Sequence, residues 1–404
     1  MSDRLFTPRF LIMCTFTFTV FASVFQLLPT APYRVLDLGG TTTVAGLFLG
    51  FLTFSSAFSA PVTGHLGDRI GQRRVLISVS LVLAVCAGSY AFITSYKLML
   101  AVVIVHGLFW SALLSASGAY MTATIPERRR AEGLSYWGLA SVFSVAVAPA
   151  IGFWVYRHGW TMLCAELAAL NLLMCLIALR LPDDRAATEH HAEPVAGTHH
   201  RRPRLVEWQV LALSVAMALV AFGYGGLTSF SALFADHLLV TPRSLFLSVM
   251  ALAILVGRLT IGRTIDRLGY RRVLLPSLAA PPFGLALVAL ATGKTTLIIA
   301  ALAFGSGFGL MYPSYTAYVI GHVGMRRRGA AFGAMLAAFD TGVGTGSSTL
   351  GWLIHHVGFR WAYLVAAAFA AIALPYFLIA ERRLGFRAAE IAARNRQSTI
   401  LNQQ

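Results

Sequence analysis

The sequence predicts an all-α membrane protein with twelve transmembrane helices in two related halves. Three observations support this prediction: the composition, the spacing of long apolar segments, and a motif that occurs twice. Of 404 residues, 57% are hydrophobic and 12% are charged, and the mean hydropathy is +0.71. A soluble domain normally has about 45–50% apolar and about 25% charged residues. The composition therefore excludes an ordinary soluble domain.

Twelve apolar segments are long enough to cross a bilayer, which takes about 20 residues in a helix. They cover residues 8–31, 42–63, 75–94, 98–121, 133–156, 160–180, 208–235, 243–262, 273–292, 296–321, 330–354 and 359–380. Because lipid does not tolerate irregular backbone, each segment is predicted to be a helix, with the connections at the two membrane surfaces. The first segment is too long for the core of a cleavable signal peptide and is interpreted as a span.

The basic residues predict the orientation of these spans. If the N-terminus is cytoplasmic, one residue, Arg258, falls inside a span, and the outer loops hold six of the 32 Lys and Arg residues: Arg34, Lys97, Arg157, Arg243, Lys294 and Arg360. The remainder lie in cytoplasmic loops and tails, so the positive-inside rule places both termini in the cytoplasm. A net charge of +16 distributed in this way indicates a membrane protein rather than a nucleic-acid partner.

The sequence predicts no cofactor, no metal and no enzymatic activity. It contains no nucleotide-binding loop, no zinc constellation and no nucleophile triad. The four cysteines, Cys14, Cys86, Cys164 and Cys175, all fall inside apolar segments. They are interpreted as small buried hydrophobic residues rather than as a disulfide framework or metal ligands.

A glycine-rich, basic motif connects the second and third segments and is interpreted as a short loop. It reads Gly64-His65-Leu66-Gly67-Asp68-Arg69-Ile70-Gly71-Gln72-Arg73-Arg74, and a second version reads Gly262-Arg263-Thr264-Ile265-Asp266-Arg267-Leu268-Gly269-Tyr270-Arg271-Arg272. Asp266 follows Asp68 by 198 positions, close to half of the chain. An internal repeat of this length indicates two related halves.

The doubled motif and the twelve segments resemble the major facilitator superfamily, and the motif is closest to its drug/proton antiporter-like branch. The resemblance implies a monomer of two pseudo-symmetric six-helix bundles that moves a small solute across a lipid bilayer by alternating access. The expected boundaries are an N-terminal bundle at 1–181, a cytoplasmic linker at 182–207, a C-terminal bundle at 208–381 and a cytoplasmic tail at 382–404. The linker is interpreted as a solvated tether, and its histidine pairs leave metal binding open as an alternative. The basic tail either lies on the inner leaflet or is disordered.

The resemblance also implies a conformational latch at the motif. Asp68 with its arginines would close onto the start of the eleventh helix near Ala330, and Asp266 with Arg267 would form a weaker latch beside the fifth helix. The gate and latch set is Gly64, Gly67, Asp68, Arg69, Gly71, Arg73, Arg74, Gly262, Asp266, Arg267, Gly269, Arg271 and Arg272. The alternative is a loop whose arginines only set the orientation; orientation alone does not require an aspartate or three glycines.

The family pattern places the substrate cavity on the first, fourth, seventh and tenth helices. The expected cavity residues are Gln26, His106, Trp110, Ser111, Tyr224, Thr228, Tyr312, Ser314 and Tyr315. Glycine clusters at 223–226 and 305–309 indicate interruptions near mid-membrane, which mark sites and hinges in transporters. The alternative is that these small residues pack helix against helix.

Ionisable residues within spans are costly and therefore functional candidates. Asp340 and Arg258 are predicted to lie near one cavity, either paired or separately presented to substrate or proton. His106 titrates near neutral pH when unperturbed and is the third coupling candidate, with a hydrogen-bonding strut as the alternative. Glu166 is the fourth, although its place on a peripheral helix favours a structural role.

Proton-coupled efflux of a small organic solute is the leading functional hypothesis, with protons as the coupling ion. The antiporter-like motif supports it, but Val103 stands where proton-driven relatives often carry an arginine, and Ala148-Pro149-Ala150-Ile151-Gly152 matches the antiporter pattern only in part. Proton-coupled uptake or facilitated diffusion of a sugar or carboxylate remains open. A third alternative is a membrane sensor or lipid-handling protein without solute turnover.

Overall fold

The computed structural model describes residues 5–126, 129–182, 208–323 and 328–385. The helices are α1 (Pro8–Asp37), α2 (Thr42–Ile70), α3 (Gln72–Ser89), α4 (Tyr96–Thr124), α5 (Arg130–Tyr156), α6 (Trp160–Leu179), α7 (Trp208–His237), α8 (Leu245–Leu268), α9 (Tyr270–Ala289), α10 (Lys294–His322) and α11 (Arg328–Arg383). The predicted linker, apart from Pro182, and the tail beyond 385 lie outside the described residues.

The last helix contains two predicted spans. Gly358 leaves the helical conformation, with φ 82° and ψ 171°, and divides α11 into the arms α11a (328–357) and α11b (359–383). With these arms counted separately, the described residues form twelve helical segments, one for each predicted span. Ten helices in this part of the chain are long and apolar enough to cross a membrane, the 331–383 stretch counted once, and Leu245–Thr260 is a shorter apolar helix. The all-α membrane fold is confirmed.

The loop within the glycine-rich motif is shorter than the sequence predicts. α2 remains helical to Ile70 and α3 begins at Gln72, so only Gly71 separates them. Gly71 has φ +92°, a conformation open to glycine because it lacks a Cβ. Its N–H still bonds to the carbonyl of Gly67 at 3.0 Å, which satisfies a carbonyl at the helix end. Gly269, with φ +88°, separates α8 from α9 in the same way.

The first six helices form the N half, and α7 to α11b form the C half. The halves meet where α2 packs along α11, α1 against α7 and α5 against α8. We call the end that carries the connections 38–41, 90–95, 157–159, 238–244 and 290–293 the distal end. The opposite end, where the described chain begins and finishes, is the proximal end.

The buried apolar cores differ between the distal and proximal ends. One core runs through the C half and continues into the distal part of the N half, where it includes Leu27 and Leu49. The proximal part of the N half has a separate core around Phe10, Leu76 and Leu113. Among the described residues, the two halves therefore share a buried core at the distal end only.

Candidate functional site

Arg258 lies in the middle of α8 and is held by the backbone of α10. Its Nε donates a hydrogen bond to the carbonyl oxygen of Gly309 at 3.2 Å. The two helices approach closely here, because a Cβ on Gly309 would lie 2.8 Å from the Cα of Ile254. Within the described residues this is the one hydrogen bond of the Arg258 side chain. Most of the donors on its guanidinium are therefore available to another molecule.

Asp340, on α11a, is half-buried. Across the described ranges its carboxylate has neither a hydrogen bond nor an ion pair, and the ion pairs found there join Arg129 to Glu132, Arg243 to Asp236 and Arg271 to Glu381. Asp340 and Arg258 are thus not paired with each other in the described structure. Of the two arrangements open from the sequence, pairing is not observed here, and presentation to a substrate or proton stays a prediction.

Tyr312 of α10 lies near both charges, because it follows Gly309, which Arg258 binds, by about one helical turn, and it contacts Phe339, the residue before Asp340. Its ring packs edge-on against Phe339, with centroids 5.7 Å apart. Phe308 stacks on Tyr224 at 4.3 Å and 17° between planes, which extends the aromatic wall to α7. We call Arg258, Asp340, Tyr312, Tyr224, Phe308 and Phe339 the C-half site. The structure brings four of the predicted residues, two charged and two aromatic, to this site.

The other predicted cavity residues of the C half point into its own core. The hydroxyl of Tyr315 donates to Ser214 at 3.2 Å, and the hydroxyl of Thr228 donates to the carbonyl of Tyr224 at 2.9 Å. Ser314 is fully buried, and its hydroxyl has no partner within the described residues. The described contacts of Tyr315 and Thr228 therefore lie within the C half.

The glycine clusters do not interrupt their helices. α7 is continuous through 223–226 and α10 through 305–309. A Cβ on Gly225 would collide with the carbonyl of Val343, and one on Gly305 would lie 2.5 Å from the carbonyl of Met250. Both glycines permit close helix packing, and the expectation of mid-membrane breaks does not hold in this conformation.

The predicted cavity residues on α4 pack within the N half. His106 is buried, and its Nδ1 lies 3.4 Å from the hydroxyl of Tyr90, with the two rings stacked 6.1 Å apart. Trp110 packs edge-on against Phe21 at 5.9 Å. The hydroxyl of Ser111 lies 3.1 Å from that of Thr63. Each of these contacts joins α4 to a neighbour in its own half.

Gln26 on α1 and Glu166 on α6 both lie in the N half. A Cβ on Gly152 would lie 2.9 Å from the Cβ of Gln26. Gln26 Oε1 and Glu166 Oε2 are both buried, with no partner within the described residues. The four coupling candidates are therefore divided between the halves, with His106 and Glu166 in one and Asp340 and Arg258 in the other.

A polar cluster joins the two halves at the distal end. The hydroxyl of Tyr33 on α1 donates to Asp236 Oδ2 on α7 at 2.9 Å. Arg243 donates from Nε to Asp236 Oδ1 at 2.9 Å, and its guanidinium carbon lies 4.9 Å from the centre of the Tyr33 ring. Asp236 thus accepts from both halves and closes the distal end between α1 and α7.

Close backbone contacts between α2 and α11a reinforce this closure. Ser347 donates from its hydroxyl to the carbonyl of Gly46 at 2.9 Å, and Thr42 donates to the carbonyl of Gly351 at 3.1 Å. A Cβ on Gly46 would collide with the carbonyl of Ser347 and lie 3.3 Å from the Cα of Gly351. The hydrogen bonds described between the halves, Tyr33 to Asp236, Thr42 to Gly351 and Ser347 to Gly46, lie in the distal part.

The proximal arginines of the motif bind within their own halves. Arg73 Nη2 donates to the carbonyl of Leu179, the last residue of α6, at 2.8 Å. Arg271 donates from Nε and Nη2 to the two carboxylate oxygens of Glu381 at 2.8 and 3.0 Å. The hydroxyl of Tyr318 also donates to Glu381, at 2.6 Å. Each half therefore has its own proximal clamp.

The rest of the predicted latch is described only in part. Arg69, Arg74 and Arg272 are exposed, Gly67 is buried against Gln72, and Gly71 and Gly269 are the junction glycines. The backbone of the remaining members is helical, but their side chains, and that of Ala330, lie outside the described residues: Gly64, Asp68, Gly262, Asp266 and Arg267.

The sequence prediction did not identify Glu381, Tyr33 or Asp236. The repeat carried a signal for this contact. The two partners of Glu381, Arg271 and Tyr318, follow Arg73 and Tyr120 of the first half by the same 198 positions. The hydroxyl of Tyr120 donates to the carbonyl of Pro182 at 3.1 Å, so the repeat marks equivalent clamps in both halves. Tyr33 and Asp236 are separated by 203 positions and share no motif that links them. The structure's described ranges contain no group of three or more potential metal ligands.

Comparison with known proteins gives concordant results. The sequence model of the Major Facilitator Superfamily matches residues 11–257 and 213–398. A staphylopine export protein from Staphylococcus aureus strain Mu50 is 22% identical over 83% of this chain and 86% of its own length. An uncharacterised MFS-type transporter, YhhS, from Escherichia coli strain K12 is 24% identical over 91% of each chain.

Solved structures share the fold. The nucleoside transporter NupG superposes with a TM-score of 0.72 at 17% identity, covering 93% of this chain and 99% of its own. A bacterial homologue of the human lysosomal transporter Spinster, in an inward-facing and occupied conformation, gives a TM-score of 0.74 at 14% identity, with 92% and 96% covered.

Proposed function

This chain belongs to the Major Facilitator Superfamily and is an integral, multi-pass membrane transporter, and we propose that it exports a small organic solute in exchange for protons. The observation that carries the proposal is the unequal joining of the halves around the C-half site. Hydrogen bonds and a shared core join them at the distal end, and the proximal core of the N half is separate. Rocking two halves about a central site alternately exposes that site to the two sides of the membrane.

Asp340 is the proposed proton carrier. An ionisable residue inside a span is costly and marks a substrate or proton pathway by default. Asp340 has no counter-charge within the described structure, so its carboxylate is free to take up a proton or a cationic group of the solute. Competition between these two for one carboxylate would couple solute release to proton uptake. The division of the coupling candidates leaves His106 and Glu166 with a supporting role in the N half.

Export is supported by the similarity to a staphylopine export protein and by the antiporter-like motif. To test it, compounds are first screened by thermal shift, since a ligand at about 100 times its Kd stabilises by roughly 2.7 kcal/mol. Hits are then added to proteoliposomes that contain a trapped pH-sensitive dye. We expect solute addition to move protons in the opposite direction, and this movement to be lost in Asp340→Asn.

Three other results would each contradict part of this proposal. Solute flux without proton movement would indicate facilitated diffusion. Proton movement in the same direction as the solute would indicate coupled uptake. Binding without any flux or counterflow of labelled solute would indicate a sensor. The exposed distal Arg157→Gln serves as the matched charge-removal control.

We propose that the proximal end is cytoplasmic, with both termini inside and the protein a monomer in the plasma (inner) membrane. The concentration of basic residues in the proximal connections supports this orientation. A membrane-impermeant thiol reagent applied to intact cells should label Leu239→Cys, which is 92% exposed at the distal end. It should not label Gly385→Cys; the reverse labelling pattern would overturn the orientation.

The latch remains a proposal for the opposite state. When the distal end opens, Asp68 with Arg69, Arg73 and Arg74 would close onto the start of α11a near Ala330, and Asp266 with Arg267 would close beside α5. Gly71 and Gly269 support this reading, because each places a tight helix junction next to an aspartate. Asp68→Asn should leave the distal-closed state intact and lower the population of the distal-open state. An unchanged distribution of spin-label distances would contradict the latch.

A further inference from the structure

We propose that the C-half site recognises a zwitterion, a solute with both a carboxylate and an amine on a flat, apolar body. This inference rests on the proposed transport function and specifies the substrate class of the same site. Arg258 would bind the carboxylate, Asp340 the amine, and the aromatic wall the apolar body.

Arg258 is positioned to bind an anion. Its Nε donates to the carbonyl of Gly309 at 3.2 Å, at a point where α8 and α10 approach closely. The terminal nitrogens of the guanidinium have no hydrogen bond in the described residues and are not among the fully buried polar atoms. A guanidinium presents its donors as a planar fork that matches a carboxylate.

Asp340 supplies the complementary charge. Its carboxylate is acceptor-only when ionised and has no donor within the described structure. An ammonium group would provide both donors and a counter-charge. Because taking a charge out of water without a partner is expensive, the two uncompensated side chains favour a ligand that neutralises both.

The lack of an ion pair between Arg258 and Asp340 distinguishes this site from an internal salt bridge. Both charges lie near Tyr312, yet they do not contact each other within the salt-bridge distance. If they formed a pair, each would neutralise the other, and neither would need a charged group from the solute. Because they are not paired, each can take its counter-charge from one end of the solute.

The aromatic wall determines the shape of the remaining part of the solute. Tyr224 and Phe308 are nearly parallel at 4.3 Å, and Phe339 lies 6.2 Å from each of them. Phe339 and Tyr312 are only half-buried and present aromatic surface to a ligand. Aromatic surfaces favour flat apolar groups and also an adjacent ammonium.

Three probes that share one ring and differ in charge test this assignment. They are L-phenylalanine, which is a zwitterion, 2-phenylethylamine, which is a cation, and 3-phenylpropionate, which is an anion. Binding to the purified full-length protein in nanodiscs is measured by saturation-transfer NMR and titration calorimetry. We expect phenylalanine to bind at least about tenfold more tightly than either singly charged probe, since a hydrogen bond to a charged group contributes about 1.5–3 kcal/mol.

Variants assign each charge to its side chain. Arg258→Gln should reduce phenylalanine binding to the level of phenylethylamine without changing the affinity for phenylethylamine. Asp340→Asn should reduce phenylalanine binding to the level of phenylpropionate without changing the affinity for phenylpropionate. Arg258→Lys keeps the charge but loses the fork, so it should retain part of the preference, and Arg157→Gln should have no effect.

The inference would be overturned if phenylalanine bound no better than the singly charged probes, or if no probe bound. It would also fail if both variants weakened all three probes equally. Because binding is measured without a membrane gradient, these outcomes are independent of the flux assay. Proton-coupled flux of a different solute class would reject the zwitterion and leave the transport proposal intact. Phenylalanine binding without flux would support the zwitterion site and reject the transport proposal.

Discussion

The distal and proximal ends of this molecule are held together by different kinds of contact. At the distal end, hydrogen bonds and a continuous apolar core cross from one half to the other. At the proximal end, the contacts of Arg73 with Leu179 and of Arg271 with Glu381 each remain within one half. Among the described residues, each half therefore has proximal contacts of its own, and the hydrogen bonds between the halves lie at the distal end. A transporter that rocks its halves requires this separation, because the contacts that open must differ from those that keep each bundle folded.

The largest effect is expected from Glu381→Gln, which tests the within-half role of the proximal clamp. Glu381 is 0% exposed, and the substitution removes the negative charge that Nε and Nη2 of Arg271 both bind. Breaking a buried ion pair in this way costs about 3–5 kcal/mol. We expect a correspondingly lower free energy of unfolding in a detergent or nanodisc denaturation experiment.

The same variant should not change the distal end. Spin labels at Phe92→Cys and Leu239→Cys, which are 84% and 92% exposed on opposite halves, report the distal separation in a background without the four native cysteines. A changed distance distribution in Glu381→Gln would mean that the proximal clamp also controls closure between the halves. That result would remove the distinction drawn between the two ends.

The next largest effect is expected from Gly46→Val, which tests the distal contact. Its Cβ would collide with the backbone of α11a at Ser347, and overpacking of this kind costs about 1–3 kcal/mol. We expect the distal labels to move apart and transport to fall by one to two orders of magnitude, about 10- to 100-fold. Gly333→Val, on α11a in a position with no neighbour within 4 Å, is the matched control. Equal loss of transport in both variants would argue against a specific role for the α2–α11a contact.

A smaller shift is expected from Tyr33→Phe, which removes a single hydrogen bond between the halves. The bond to Asp236 is only partly buried, so a contribution of about 1 kcal/mol is expected. The distal-open population should rise roughly fivefold in the same spin-label measurement. Tyr156→Phe removes a hydrogen bond to Asp37 within the N half, 3.2 Å in length, and should leave the population unchanged. Equal population shifts in both variants would show that closure of the distal end does not depend on the hydrogen bond that crosses between the halves.

The smallest effect is expected from Arg73→Gln, the repeat equivalent of an Arg271 change. Arg73 donates to an exposed backbone carbonyl, which water can satisfy after the substitution. We expect a loss of about 0.5–1.5 kcal/mol in the free energy of unfolding, well below that of Glu381→Gln. Similar losses of unfolding free energy in Arg73→Gln and Glu381→Gln would show that the burial of the Arg271–Glu381 pair does not make it the more stabilising clamp.

Some features of the functional site could be predicted from the sequence, and others could not. Asp340 and Arg258 were identifiable because charged residues are conspicuous in apolar segments. Their lack of mutual pairing, and the place of Tyr312 beside both, depend on how α8, α10 and α11a pack together. His106 carried the same polar signal as Asp340, but its ring stacks on Tyr90 within the N half. Polarity within a span indicates that a residue needs a partner and does not identify which one.

The sequence by itself determined the helical membrane fold, the number of spans and the division into two repeated halves. The physical reason is that lipid forces every spanning backbone to satisfy its own hydrogen bonds, so apolar length alone predicts a helix. The tertiary structure decided which side chains meet: Tyr33 with Asp236, Arg271 with Glu381, and Ser347 with Gly46. Those contacts join residues more than 100 positions apart, and local hydropathy carries no information about distances between helices. They determine at which end the halves are closed.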